Sequence, residues 1–314
     1  MKTDQKLYDM IIVGGGPAGY TAALYGERSG LKTLVLEKLA AGGQMALTTD
    51  IDNYPGFEEG IDGYTLGEKM KKGAERFGAE SRFTEVLGAD LTGTVKKLET
   101  SEGTFFGKTV VLATGAVPRK LGIEGEEELL GLGIHYCAAC DGMFYRNKTV
   151  VVVGGGNTAA EDALLLSRVA KKVYLIHRRD RLRASKVYEE PLLQASNVEI
   201  LWDSTIREFL REERLKGVSV ENRKTGQVSE VFCDGVFVSV GRTPATELWK
   251  EQVATDDKGY LVADETTRTN VPGVFAAGDI RTKALRQVVT AAADGAMAAY
   301  FAEEYLLTLK DGSI

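Results

Sequence analysis

Two glycine-rich loops, each set between a short apolar run and a small-residue helix, restrict what this chain can fold into more than any other feature. The first, Gly14-Gly15-Gly16-Pro17-Ala18-Gly19, follows the apolar run Tyr8 to Val13. Ala18 to Ser29 then reads as a helix with small residues facing a strand, and Leu31 to Glu37 reads as that next strand. The second loop, Gly154-Gly155-Gly156-Asn157-Thr158-Ala159, repeats the grammar with a strand over Thr149 to Val153, a helix over Asn157 to Ala170 and a strand over Lys172 to Ile176. Strand, glycine loop, helix and parallel strand make the smallest unit that cradles a dinucleotide.

A further echo marks a duplication. Val110 to Pro118 and Val236 to Pro244 are each a buried strand that reaches a Gly and then a Pro, and each follows its own glycine loop after a β-rich stretch. The second copy is shorter and reads as inserted into the first. Val274 to Asp279 then predicts a strand with an acidic residue at its carboxyl end, and Gln287 to Leu307 an Ala-rich helix, which return the chain to the first copy. The expected fold class is α/β, with two Rossmann-like nucleotide-binding domains of three ββα layers. Residues 119–246 form the inserted domain and residues 1–118 with 247–314 the discontinuous one. Proline-marked boundaries near 118–120 and 245–248 are the expected hinges.

Size and charge agree. A chain of 314 residues exceeds what one hydrophobic core ordinarily serves. The net charge of −6 argues against nucleic acid as the partner, because a phosphate footprint needs a basic surface. No uncharged apolar run reaches about 18 residues, so no membrane span is expected. Met1 to Leu7 is polar and lacks the apolar core of a signal peptide. The three cysteines, Cys137, Cys140 and Cys233, are too few for a disulfide scaffold. A reducing cytoplasm is the expected location, where a close thiol pair is catalytic more often than structural.

In the first loop, Gly14 permits the tight turn, Gly16 lets backbone approach a pyrophosphate and Gly19 lets the helix lie close. The helix amino terminus faces the anion, and Glu37, at the end of the second strand, accepts from ribose hydroxyls. FAD and NAD share this fingerprint. Two polar turn segments soon after Glu37, Ala41-Gly42-Gly43-Gln44 and Asn53-Tyr54-Pro55-Gly56, read either as a loop laid along a large ligand or as a surface excursion. In the second copy, the strand that should end in a carboxylate runs instead into His177-Arg178-Arg179-Asp180-Arg181-Leu182-Arg183, with Arg178 taken as the replacement. A carboxylate there repels a 2′-phosphate, whereas guanidinium groups grip it, so the reading is NADPH rather than NADH. The bland alternative is a solvated basic run.

Cys137-Ala138-Ala139-Cys140-Asp141 has redox spacing, and a helix starting there favours a thiolate. Asp141 caps that helix, carries protons for the thiols, or does both. Zinc is the structural alternative; it needs four ligands, and the only other soft candidates are His135, His177 and Cys233. No metal is expected, and Cys233, in an apolar strand context, reads as inert core.

Taken together, these blocks resemble the low-molecular-weight thioredoxin reductases over essentially the whole chain. The matching stretches are Gly14 to Tyr25, Gly42-Gly43-Gln44, Asn53 to Gly56, Ala113-Thr114-Gly115, Cys137 to Gly142, Gly154 to Ala163, His177 to Ala184 and Gly278 to Gly295. The resemblance implies FAD in the first domain, NADPH in the inserted one, and a homodimer joined through the flavin domains. It assigns FAD contacts to Gly14, Gly16, Pro17, Ala18, Gly19, Glu37, Lys38, Gly43, Gln44, Asn53, Ala113, Thr114, Gly115, Gly278, Asp279, Arg286, Gln287 and Val288. It assigns NADPH contacts to Gly154, Gly156, Asn157, Thr158, His177, Arg178, Arg179, Arg183, Gly241 and Arg242. It implies that Cys140 lies against the flavin, that Cys137 exchanges with thioredoxin, that Asp141 is the acid for the dithiol, and that the domains rotate between half-reactions. Arg181 and Leu182 depart from the Gly and Phe common in the family, and Ala46 and Leu47 from threonines found in some members. A reductase of another small disulfide protein and a dithiol oxidase remain as alternatives.

Overall fold

The structure, a computed structural model, describes residues 6–48 and 51–310; most of the polar start read above, and the tail from 311, lie outside the described residues. The chain groups into two compact units, Met1–Val117 with Thr243–Ile314, and Pro118–Arg242. The return crossing falls before the 245–248 expected from sequence because Ala245 is already tied to the first unit, its N–H donating to the Gly115 carbonyl at 3.0 Å.

The first leg of the chain runs β1 (Leu7–Val13), α1 (Pro17–Arg28), β2 (Thr33–Glu37), α2 (Gly63–Glu75), β3 (Glu80–Phe83), β4 (Val86–Asp90), β5 (Lys96–Thr100), β6 (Gly103–Leu112) and the short β7 (Ala116–Pro118). The middle leg holds β8 (Ile134–His135), α3 (Ala138–Asp141), β9 (Thr149–Gly154), α4 (Asn157–Ser167), β10 (Lys172–Ile176), α5 (Lys186–Gln194), β11 (Val198–Leu201), β12 (Ser204–Arg211), β13 (Leu215–Asn222), β14 (Val228–Phe232) and β15 (Gly235–Ser239). The return leg adds β16 (Arg242–Pro244), β17 (Val274–Ala276) and α6 (Val288–Lys310).

In the first unit, β3, β2, β1, β6 and β17 lie side by side and parallel. The long β6 serves two sheets' worth of partners. Its first half pairs antiparallel with β5, which carries β4, and its last three residues pair with β17. Side chains of β1 alternate between two buried faces. Met10 and Ile12 enter a core with α1 and α6 residues, while Ile11 and Val13 enter a second core with Leu91, Leu98 and Trp249. Burial on both faces is why the run reads as continuously apolar rather than alternating. Each such side chain contributes about 1.5–3 kcal/mol on leaving water.

The second unit repeats the plan. Its parallel sheet has the order β11-β10-β9-β15-β8, and a meander β12-β13-β14 forms the other β layer. Val150 and Val152 of β9 face α4, while Val151 and Val153 face the meander. One difference escaped sequence reading. The strand beside β15 is β8, drawn from the start of the inserted segment, whereas the equivalent place beside β6 is filled by β17 from the end of the chain. The expected acidic strand end after Val274 also differs. β17 stops at Ala276, and Gly278, at φ +80°, turns the chain into a single 3-10 turn, Gly278–Ile280, that carries Asp279.

Candidate functional site

Both glycine loops stand at the carboxyl ends of parallel strands, where open α/β sheets bind ligands. Their glycines divide by what a Cβ would meet. At Gly14 a Cβ would lie 2.4 Å from the Ala113 carbonyl oxygen, and at Gly19 1.8 Å from that of Gly14, so protein packing demands glycine there. At Gly16 the nearest atom is 3.9 Å away and at Gly156 nothing lies within 4 Å. Protein crowding does not require glycine at these two positions, and the open space leaves room for a ligand to approach the backbone. Each caps a helix long enough to present free N–H groups, α1 behind Gly16 and α4 behind Gly156. The residues fit a pyrophosphate at both loops.

In the first unit, the structure brings several of the residues expected to hold flavin near the loop and near one another. Glu37 ends β2 and accepts from the Gly15 N–H at 2.6 Å and the Leu39 N–H at 3.0 Å, which orients its carboxylate and leaves lone pairs for hydroxyl donors. Gly42 donates to the Gly15 carbonyl at 2.8 Å, bringing the Gly43-Gln44 turn against Gly16. Asn53 Nδ2 donates to Gln287 Oε1 at 3.2 Å, and Val288 packs against Met45, Ile51 and Leu66. The polar excursion after Glu37 therefore closes onto the start of α6 rather than leaving the surface. Ala113-Thr114-Gly115 follows β6 at the same sheet edge, with Thr114 Oγ1 donating to the Ala245 carbonyl at 2.8 Å. Arg286 lies 4.0 Å above the Tyr260 ring and donates to the Arg281 carbonyl at 3.1 Å. Lys38 turns its side chain to Glu85, at 2.7 Å.

The Gly278-Asp279 turn is pinned from α6 by Asp294, which sequence reading missed. Its carboxylate accepts from the Gly278 N–H at 2.8 Å, from Arg281 Nε at 2.9 Å and Nη2 at 2.8 Å, and from Lys283 Nζ at 2.8 Å. Burial alone pushes this carboxyl up, but the hydrogen bonds and charges of Arg281 and Lys283 outweigh it and hold the group below the usual carboxylate range. A depressed native value stabilises the fold above the unfolded carboxyl range near pH 4 and loses that contribution as pH falls through the native value. Asp294→Asn is expected to cost about 3–5 kcal/mol at neutral pH by leaving two buried cations uncompensated. Urea titrations from pH 7 down to 3 should show the gap from wild type closing below pH 4; a constant gap counts against the charge pairing.

In the second unit, a cavity of about 550 Å³ opens at the second loop, lined by Gly154, Gly155, Gly156, Thr158, His177, Arg178, Arg183 and Gly241, with Arg119 and Lys120. Among the described residues no carboxylate stands within ion-pair distance of Arg178, Arg179 or Arg183, so no ion pair within the chain takes up their charge. One sequence reading needs correction. Register puts Glu37 level with Gly14 and His177, not Arg178, level with Gly154, because β1 pairs Val13 with Leu36 and β9 pairs Val153 with Ile176. His177 therefore takes the place of Glu37, and a Cβ on Gly155 would strike its ring at 2.0 Å, as one on Gly15 would meet Glu37 at 3.1 Å. Burial, with the charges of Arg183 and Arg179, holds His177 below the usual imidazole range. Its Nε2 lies 2.9 Å from the Arg181 carbonyl, which fixes the arginine turn.

The cavity does not gather every expected residue. Arg179, Asn157 and Arg242 are not among its lining; Asn157 Oδ1 instead accepts from the Ser185 N–H at 2.8 Å. Conversely, Arg119 and Lys120 add cations that sequence reading passed over, although an adjacent basic pair after Pro118 was a visible signal. Asp162 of α4, which accepts from Ser239 Oγ and is pushed up to about 6 by burial, carried no signal.

Cys137 and Cys140 are joined as a disulfide, with both residues partly exposed. The helix expected after Cys137 is the single turn α3. Its cap is Cys137, whose Sγ accepts from the Cys140 N–H at 3.2 Å. Asp141 closes that turn instead of opening it and makes no side-chain cap to the 3-10 turn that follows, so the capping alternative is overturned. Its carboxylate instead meets His135 Nδ1 at 3.0 Å. Cys233 is buried in the meander core, and burial pushes its thiol up to about 12, which keeps it protonated and unreactive. Among the described residues no group of three or more His, Cys, Asp or Glu side chains converges on a point a metal could occupy. Among them also no helix is long and apolar enough to cross a membrane.

Two Rossmann-like units, one bearing a disulfide, define a dinucleotide-binding disulfide oxidoreductase. The profile of the family described as pyridine nucleotide-disulphide oxidoreductase matches residues 8–295. A thioredoxin reductase of Listeria monocytogenes is 43% identical over 99% of this chain and 98% of its own length, and one of Streptomyces clavuligerus is 47% identical over 96% and 95%. The crystal structure of thioredoxin reductase from Streptococcus pyogenes superposes with a TM-score of 0.89 at 43% identity, covering 96% of this chain and 99% of that one. The chain belongs to the pyridine nucleotide-disulphide oxidoreductases and, among them, to the bacterial-type thioredoxin reductases.

Proposed function

We propose that this protein is an NADPH-dependent flavoenzyme that reduces the disulfide of thioredoxin through Cys137 and Cys140. The observation that carries the proposal is a closed, partly exposed disulfide in the same unit as a cavity lined by Arg178 and Arg183, neither of which has a carboxylate partner among the described residues. The family and the named relatives support thioredoxin as the substrate. FAD belongs at the first loop and NADPH at the second. The first loop and Glu37 would hold FAD, which would supply the conversion between hydride and disulfide electrons that nicotinamide and sulfur do not make directly.

The chain's own residues have separable tasks. Gly16 and Gly156 admit the pyrophosphates, and Glu37 holds ribose hydroxyls. Arg178 and Arg183 select the 2′-phosphate. Cys137 and Cys140 take two electrons and two protons as their bond opens; one thiol, on losing its proton, attacks the partner disulfide, and the other resolves the mixed disulfide so formed. Asp141, next in the turn, supplies or removes the proton of that dithiol. Two chain crossings between the units suit a rotation that lets nicotinamide and disulfide take turns. A homodimer joined through the flavin-binding units and a cytoplasmic location, where disulfides are kept reduced, complete the proposal.

The test is an anaerobic titration of the purified protein. NADPH should remove the flavin absorbance, and oxidised thioredoxin should restore it within the mixing time. A colourless protein that takes up no FAD ends the proposal. Restoration by a glutaredoxin or a small disulfide but not by thioredoxin moves the substrate while keeping the chemistry.

A further inference from the structure

His135 lies beside the disulfide turn, in a seat that the proposed reaction has not yet used. It ends β8, is 9% exposed, and reaches two polar partners at once. Nδ1 is 3.0 Å from Asp141 Oδ2, and Nε2 is 2.6 Å from the Tyr145 hydroxyl. The ring is clamped as well. Phe237 of β15 stacks on it with centroids 5.3 Å apart, and Tyr145 meets its edge at 5.2 Å. Tyr145 in turn abuts Phe237 at 5.3 Å and fills room left by Gly235, where a Cβ would stand 2.3 Å from the Tyr145 ring. The imidazole cannot turn without unpacking two aromatic rings.

The hydrogen-bond arithmetic sets the tautomer. Burial pushes the Tyr145 phenol up to about 12, with Asp141, Asp234 and Cys233 adding to the rise and Arg214 opposing it. Its hydroxyl therefore stays protonated and can donate or accept. An ionised carboxylate only accepts, so the Asp141 contact calls for a proton on Nδ1, and a neutral ring then has Nε2 accept from the Tyr145 hydroxyl. Asp141 directly follows Cys140 in the one-turn helix, so the same contact fixes the direction of the carboxyl relative to that turn.

We propose that His135 is the positioning residue for the disulfide half of the reaction: held in place by Tyr145 and Phe237, it aims the Asp141 carboxyl that serves Cys137 and Cys140. This rests on Asp141 being the acid of the dithiol. A general acid contributes on the order of 10²–10⁴ in rate, and misplacing a catalytic group by about 1 Å can cost on the order of 10².

The test uses the flavin-loaded protein with NADPH and oxidised thioredoxin. His135→Ala should lower kcat about tenfold to a hundredfold with the KM for thioredoxin and for NADPH unchanged, a split that general loosening of the domain would not give. His135→Asn, whose side-chain amide can replace the Nδ1–H donor, should recover most of the loss. Asp141→Asn should lose at least as much as His135→Ala, and the double variant should be no slower than Asp141→Asn alone, because His135 acts through Asp141. Additive losses overturn the proposal, as does wild-type kcat in His135→Ala beside a slow Asp141→Asn. Wild-type kcat in Asp141→Asn instead removes the acid itself, and the proposal with it. Nitrogen-15 spectroscopy of the unaltered protein gives a readout independent of turnover and of any variant's folding. The chain has two histidines, His135 and His177, so the signals are few. A proton on Nδ1 of His135 is expected; a proton on Nε2 with Nδ1 bare overturns the proposal.

Discussion

Cys140→Ser is expected to bind NADPH and let it remove the flavin absorbance, yet to reduce thioredoxin at least about 10³-fold more slowly than the unaltered protein. The reason is electron accounting at sulfur. The Cys137–Cys140 bond accepts two electrons as it breaks, and with serine at 140 there is no bond to accept them. The remaining Cys137 thiol can attack a partner disulfide and form a mixed disulfide, but no neighbouring thiolate then releases the partner. The variant should therefore also trap a covalent complex with thioredoxin, visible as a mass increase that reductant reverses. Rapid-mixing absorbance separates the two halves of the experiment. Turnover within about tenfold of wild type removes the dithiol from the mechanism and leaves the two nucleotide sites without a shared purpose.

Replacing Arg178 and Arg183 with alanine is expected to raise the Kd for NADPH at least about 30-fold, on the order of 2 kcal/mol for lost charge-assisted hydrogen bonds. The Kd for NADH should stay within about threefold. The two arginines line the second cavity, and among the described residues no carboxylate is near enough to neutralise either, which on the proposed reading leaves their charge for a 2′-phosphate. Arg179 is not among the lining residues, so Arg179→Ala alone should weaken NADPH less than either lining arginine does. Fluorescence titration of each nucleotide at two salt concentrations reads the difference, and the NADPH preference should shrink as salt screens the contact. Equal losses for NADPH and NADH mean that these arginines support the loop and do not read the phosphate.

Much of this site was legible in the linear chain, and the exceptions have physical causes. Glycine loops, buried strand runs and a Cys-x-x-Cys-Asp string are local patterns, in which spacing along the chain maps directly onto spacing in the fold. The His177 and Arg178 exchange was not local. It turns on which residue of β10 stands level with Gly154, and a one-residue change of register moves a side chain to the opposite face. The strand that completes each sheet was hidden for a related reason. β8 is two residues long and gives no periodic signal, yet it fills in the second unit the place that β17 fills in the first.

By itself, the sequence determined that the chain would build two nucleotide cradles in α/β units, one inside the other, and that a thiol pair would lie between the two loops along the chain. Those features follow from backbone sterics at glycine, from apolar periodicity and from covalent neighbourhood, none of which needs a folded partner. Tertiary structure alone decided that Asp294 holds the Gly278 turn, that the second cavity takes Arg119 and Lys120 but not Arg179, and that His135 and not a helix cap meets Asp141. Each of those contacts joins elements whose separation is set by sheet order and register. Which buried polar group finds which partner is settled only when the layers close and exclude water.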